Sequence, residues 1–94
     1  MRNIVIDCKA ITNKNTLYDI LKKKLQLPDY FGRNLDALWE CIADKDINLP
    51  VKIELKNSNH IKEILGDDFY NNLISVFKDA QEELGINIFQ IELK

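Results

Sequence analysis

Apolar and polar positions follow two rhythms along this chain, and the changes of rhythm mark its elements. Asn3–Cys8 holds the run Ile4-Val5-Ile6, short and branched at every β-carbon, which predicts a strand buried on both faces. After a polar connection over Ile11–Asn15, Leu17, Ile20, Leu21 and Leu25 recur at helical spacing. Thr16 with Asp19 one turn on suggests a capping box at that helix's start. Lys22, Lys23 and Lys24 suit a solvated face near the C-terminal end, where the helix dipole favours cations.

Pro28 and Gly32 forbid a regular helix across residues 27–33, so that stretch reads as a turn-rich loop. A second helix is predicted from Asn34, which is offered as its N-cap, with Asp36 in the first turn. Leu35, Leu38 and Ile42 form its apolar stripe. Asp36, Glu40 and Asp44 recur on a different face beside small Ala43, and Trp39 stands on the border. A polar turn over Asp44–Asn48, closed by Pro50, leads to Val51-Lys52-Ile53-Glu54-Leu55. Its strict alternation predicts a strand with one face covered, suited to a sheet edge. Ser58–Leu65 reads as a short helix with Ile61, Ile64 and Leu65 inward and Gly66 as its stop. Asp67 or Asp68 is the expected cap of a longer helix carrying Phe69, Leu73, Phe77, Ala80 and Leu84, halted by Gly85. Ile86–Leu93 reads as the last strand.

The order is β-α-α-β-α-α-β. Strands separated by helices imply parallel pairing through right-handed crossovers, hence an α/β fold: a three-stranded parallel sheet with four helices packed against it. The uninterrupted first strand is expected at the centre and the alternating second strand at an edge.

Composition narrows the function classes. Ninety-four residues, 46% apolar and 30% charged, fit one soluble globular domain over 1–94. The absence of a long apolar run and of a signal-peptide pattern points to a cytoplasmic protein with no membrane role. Cys8 and Cys41 lack C-x-x-C spacing and read as buried reduced thiols. A net charge of −2 argues against nucleic acid as a direct ligand. The charge is also concentrated. Residues 29–46 carry Asp29, Asp36, Glu40, Asp44 and Asp46 against Arg33 and Lys45, a local net of −3.

Enzyme chemistry finds little support. His60 is the single histidine, has no partner at ligand spacing and is expected to face solvent, so no metal site is predicted. Gly32, Gly66 and Gly85 are scattered, which excludes phosphate-loop and dinucleotide fingerprints, and no cofactor is expected. Cys41 has no visible base, and the Asp36–Glu40 pair is the one arrangement that invites acid–base chemistry. A loop with aromatics feeding an acid-faced helix reads instead as a protein-recognition surface.

The block Leu27-Pro28-Asp29-Tyr30-Phe31-Gly32-Arg33-Asn34-Leu35-Asp36-Ala37-Leu38-Trp39-Glu40-Cys41-Ile42 resembles the central motif of the barstar family, intracellular polypeptide inhibitors of the ribonuclease barnase. Val76-Phe77-Lys78-Asp79-Ala80 resembles the family's last helix, and the element order agrees. The resemblance implies a protein that plugs the basic active-site cleft of a secreted ribonuclease or nuclease toxin, is not an enzyme and is monomeric when free. By motif position Tyr30, Asp36, Trp39, Glu40, Ala43 and Asp79 would touch the partner, with Phe31, Asn34 and Asp44 beside them. Two roles stay open for Phe31 and for Trp39, core or contact. Glu40 stands where the family has aspartate, Asp79 where barstar-like chains have glutamate, and Lys45 where an aromatic is usual. Arg33 replaces an acid and sets a positive charge beside this face. The alternative reading keeps the fold as a binding module for a protein that is not a nuclease.

Overall fold

The computed structural model describes residues 1–94. Strand β1 (Arg2–Asp7) leads through a 3-10 turn to helix α1 (Lys14–Leu25) and helix α2 (Leu35–Ala43). Strand β2 (Val51–Lys56), the short helix α3 (Asn59–Leu65), the long helix α4 (Asp67–Leu84) and strand β3 (Phe89–Leu93) complete the chain. The β-α-α-β-α-α-β order and the all-parallel sheet agree with the reading of the sequence.

The strand order does not. The sheet runs β1-β2-β3, so the alternating strand is central and the uninterrupted one lies at an edge. The physical reason is the direction of the crossovers. Two successive right-handed connections that both advance the same way across a sheet leave their helices on one side. Every strand is then covered on one face only. Ile4 and Ile6 of β1 point into the core, while Asn3, Val5 and Asp7 face solvent. In β2, Val51, Ile53 and Leu55 are buried and Lys52 and Glu54 lie on the outer face. Alternation here marks half-burial of the whole sheet rather than an edge.

The register aligns Ile4, Ile53 and Ile91 in one row and Ile6, Leu55 and Leu93 in the next. One buried core joins these rows to Leu17, Leu21 and Leu25 of α1, Leu73 and Phe77 of α4, and Leu38 and Ile42 of α2, the helix that packs against α4. Phe77 is wholly buried and its ring stacks on Phe89 at 6.3 Å between centroids. Burial of such a side chain contributes about 1.5–3 kcal/mol.

Three element ends and two side-chain exposures depart from expectation. Asn13, not Thr16, caps α1: its Oδ1 accepts from the Thr16 backbone N–H at 2.8 Å. Asp67 and Asp68 occupy the first turn of α4 rather than its cap position, which Gly66 fills at φ 92°. Ile64 on α3 is exposed, because Ile61 alone occupies the face of that short helix turned fully inward. Residues 86–88 form a turn with Ile86 and Ile88 exposed, and β3 starts only at buried Phe89. His60 is half-buried rather than solvent-facing, with Nε2 at 3.1 Å from the Ile11 carbonyl oxygen. Buried Ser58 donates its hydroxyl to the Lys94 carbonyl, tying α3 to the end of β3.

Candidate functional site

The loop between α1 and α2 is held from both sides. Gln26, in the left-handed region, ends α1, and the Leu27 N–H then donates to the Lys22 carbonyl. Phe31 N–H closes a turn onto the Pro28 carbonyl at 3.0 Å. The Phe31 ring turns inward and meets Tyr18 edge-to-face at 6.0 Å. Of the two roles open for Phe31, the ring serves the core, where an edge-to-face pair adds to area burial, and the residue also lines a small depression shared with Glu40.

Arg33 is likewise turned away from the acidic face. Its guanidinium pairs with Asp19 at 2.9 Å and donates to the Asn15 carbonyl at 3.0 Å, both on α1. The positive charge expected beside the acidic face is thus compensated at α1. Asn34 starts α2 as read from the sequence, its Oδ1 accepting from the Ala37 N–H at 2.7 Å. Its amide also donates to the Gly32 carbonyl. A Cβ at Gly32 would stand 3.4 Å from the Ala37 Cβ, so the loop hugs the first turn of the helix.

Helix α2 divides cleanly. Leu38, Cys41 and Ile42 are buried; Asp36 and Glu40 are exposed, as is Asp44 at the C-cap. No lysine or arginine lies within it. Glu40 in the last turn and Asp44 beyond it meet the negative end of the helix dipole, a local cost in the free protein. The ion pairs of this molecule lie elsewhere, and none involves Asp36, Glu40 or Asp44.

Two shallow depressions meet at Ala37 and Glu40. One, of about 400 Å³, is lined by Asn34, Leu35, Asp36, Ala37 and Glu40. The other, about 90 Å³, is lined by Tyr30, Phe31, Gly32, Ala37, Glu40, Cys41, Asp44 and Asp46. Tyr30 is 73% exposed, and its hydroxyl donates to Asp46 Oδ2 at 2.7 Å. That hydrogen bond raises the Tyr30 phenol above its ordinary value, with burial and the Asp46 charge adding to it. Cys41 is raised by burial first, then by the charges of Asp46, Glu40 and Asp44. Cys8, buried at the far end of β1, is pushed up to about 11 by burial and by Asp7. Neither thiol is a ready nucleophile at neutral pH.

The structure therefore brings together Tyr30, Asn34, Asp36, Glu40 and Asp44, with buried Phe31 beneath them, and leaves others outside. Trp39 is half-buried against the core, and Ala43 is partly buried; neither lines these depressions. Asp79 is exposed on α4, which packs against α2, but lines neither depression. Asp46 is the residue that sequence reasoning counted only as local charge. Its bond to Tyr30 closes a long span of chain, for which no local signal exists.

The family model described as Barstar (barnase inhibitor) matches residues 1–93. A Bacillus subtilis (strain 168) protein bearing the name "Putative ribonuclease inhibitor YrdF" is 44% identical over 84 residues, covering 89% of this chain and 90% of that protein. The match spans both the acid-faced helix and the sheet that carries it, and the chain belongs to the barstar family.

Proposed function

We propose that this chain, acting as one domain over 1–94, is a ribonuclease inhibitor that seats its 27–34 loop and the acidic face of α2 in the basic cleft of a barnase-like secreted ribonuclease or related cationic nuclease toxin. The observation that carries the reading is the row Asp36, Glu40 and Asp44, exposed beside Tyr30 and free of any cation from its own chain. Family membership and the name of the Bacillus relative support it.

The chemistry follows from the target. A cleft that binds RNA phosphates is lined with arginine, lysine and histidine, and carboxylates at phosphate positions complete charge-assisted hydrogen bonds there. Glu40 sits where both depressions join, so its carboxylate is the group best placed to enter such a cleft. Tyr30 supplies area with a polar tip, a combination enriched at interfaces. The repulsion along the acid row, a few tenths of a kcal/mol per pair in an isolated helix, is relieved when a cation arrives. Complementary potentials also speed encounter, more at low salt than at high.

The test is a titration of barnase-type ribonuclease activity with the folded protein at low and moderate salt. Stoichiometric loss of activity that weakens as salt rises is expected. Full activity at excess protein would overturn the ribonuclease target. Capture of a protein without nuclease activity on the same face would then favour the binding-module alternative.

A further inference from the structure

The loop that precedes α2 fixes nearly all of its large side chains before any partner arrives. Phe31 is anchored against Tyr18, Arg33 is tied to Asp19 and Asn15, and Asn34 caps the helix. Tyr30 is the exception, exposed over most of its surface, and its one polar tie is to Asp46. Left free, such a ring would sample several rotamers and would have to be ordered on binding.

Asp46 is well mounted to prevent this. The turn that carries it folds back onto α2 through three backbone bonds: Asp44 N–H to the Glu40 carbonyl at 2.9 Å, Lys45 N–H to Ile42 at 3.0 Å, and Asp46 N–H to Cys41 at 2.9 Å. Buried Ile47 pins the turn from the following position. The phenol–carboxylate bond, at 2.7 Å, falls in the short range of charge-assisted pairs. Both of its residues line the smaller depression, together with Glu40 and Asp44.

Resting on the inhibitor reading above, we propose that Asp46 is a positioning residue: its carboxylate sets the Tyr30 ring in the orientation the ribonuclease meets. Asp46 thus acts through Tyr30 and not as one more acid offered to the partner. Its Oδ2 is already engaged, whereas Asp36, Glu40 and Asp44 are in no ion pair within the chain. A phenol is protonated throughout the neutral range and so donates, and the bond to Asp46 raises it further.

The experiment is a double-mutant cycle on affinity for a barnase-type ribonuclease, with Tyr30→Phe, Asp46→Ala and their combination, plus Asp46→Asn. Each single change should weaken binding about threefold to tenfold, the cost of ordering one side chain. The double variant should be no weaker than the worse single one, since both remove the same brace. The Asp46→Asn variant keeps a side-chain oxygen that accepts from the phenol, so its affinity should stay within about twofold of the parent. Additive losses, or Asp46→Asn as damaging as Asp46→Ala, would show a direct charge contact and overturn the role. In the free protein, the NMR titration of the Tyr30 ring should move to lower pH in Asp46→Ala. An unmoved titration would overturn the brace whatever the binding assay gives. Failure of the parent to inhibit any ribonuclease would instead overturn the inhibitor reading, and with it this role in recognition, while the titration would still report on the brace.

Discussion

Two surfaces of this protein are rich in charge, and they solve the same electrostatic problem in opposite ways. On the outer face of the sheet, Lys52 pairs with Glu92 at 2.8 Å and approaches Glu54 at 3.8 Å. Lys94 lies 3.7 Å from Glu54 and 3.6 Å from Glu92. Two cations and two carboxylates close a neutral set, and the face needs nothing from outside. Along α2 the carboxylates of Asp36, Glu40 and Asp44 find no such partner. A parallel sheet with one open face must keep that face wetted, and a self-paired ionic network does so without inviting association. The acidic helix face remains unsatisfied, which is the property an interface for a basic protein needs. Charge density alone therefore does not distinguish a binding face; local neutralisation does.

The sharpest way to break the comparison is to remove what both surfaces share. Phe77 lies on the buried face of α4 and stacks on Phe89 of β3, so Phe77→Ala should cost about 3–5 kcal/mol in denaturant unfolding. A loss below about 1 kcal/mol would mean the core tolerates that hole and the two faces are not jointly supported. Next in size is Glu40→Ala, expected to weaken ribonuclease binding by about 2 kcal/mol or more while stability stays within about 0.5 kcal/mol. Equal affinity of variant and parent would remove Glu40 from the interface. Asn34→Ala should lower stability by about 1 kcal/mol, since it deletes the cap of α2 and the bond to Gly32. Thermal unfolding reads that loss.

The smallest effect belongs to the neutral face. Glu92 is held below its ordinary 4.5 chiefly by its hydrogen bond to Lys52, and Lys52 is raised above 10.5 by the same bond and by the Glu92 charge. A depressed carboxylate stabilises the fold above its unfolded pKa and loses that contribution as pH falls through its folded value. Glu92→Gln should therefore be slightly less stable than the parent at pH 7, and the two should converge well below pH 4.5. The raised lysine contribution fades in turn as pH climbs above 10.5. Ribonuclease affinity should not change in this variant. A fall in affinity would show that the outer face also takes part in recognition.

Much of the site was readable because it depends on near neighbours. The Asn34 cap, the spacing that puts Asp36, Glu40 and Asp44 on one side of a helix, and the stops at Gly66 and Gly85 are all settled within a turn or two of chain. The Thr16 box failed against Asn13 because two good capping residues stood one turn apart, and only the helix's true start decides between them. Phe31 and Tyr30 are adjacent aromatics with indistinguishable local signals. Their fates diverge because Tyr18 lies on one side of the loop and Asp46 on the other.

The sequence by itself determined the element order, the parallel sheet, the family and the acidic face of α2, since periodicity, caps and motif spacing act over short stretches of chain. The tertiary structure alone decided the rest. It placed β2 at the centre, turned Arg33 back onto α1, buried Phe31 and set Tyr30 against Asp46. Each of those outcomes joins residues far apart in the chain, and no local preference can choose a partner that only folding brings within reach.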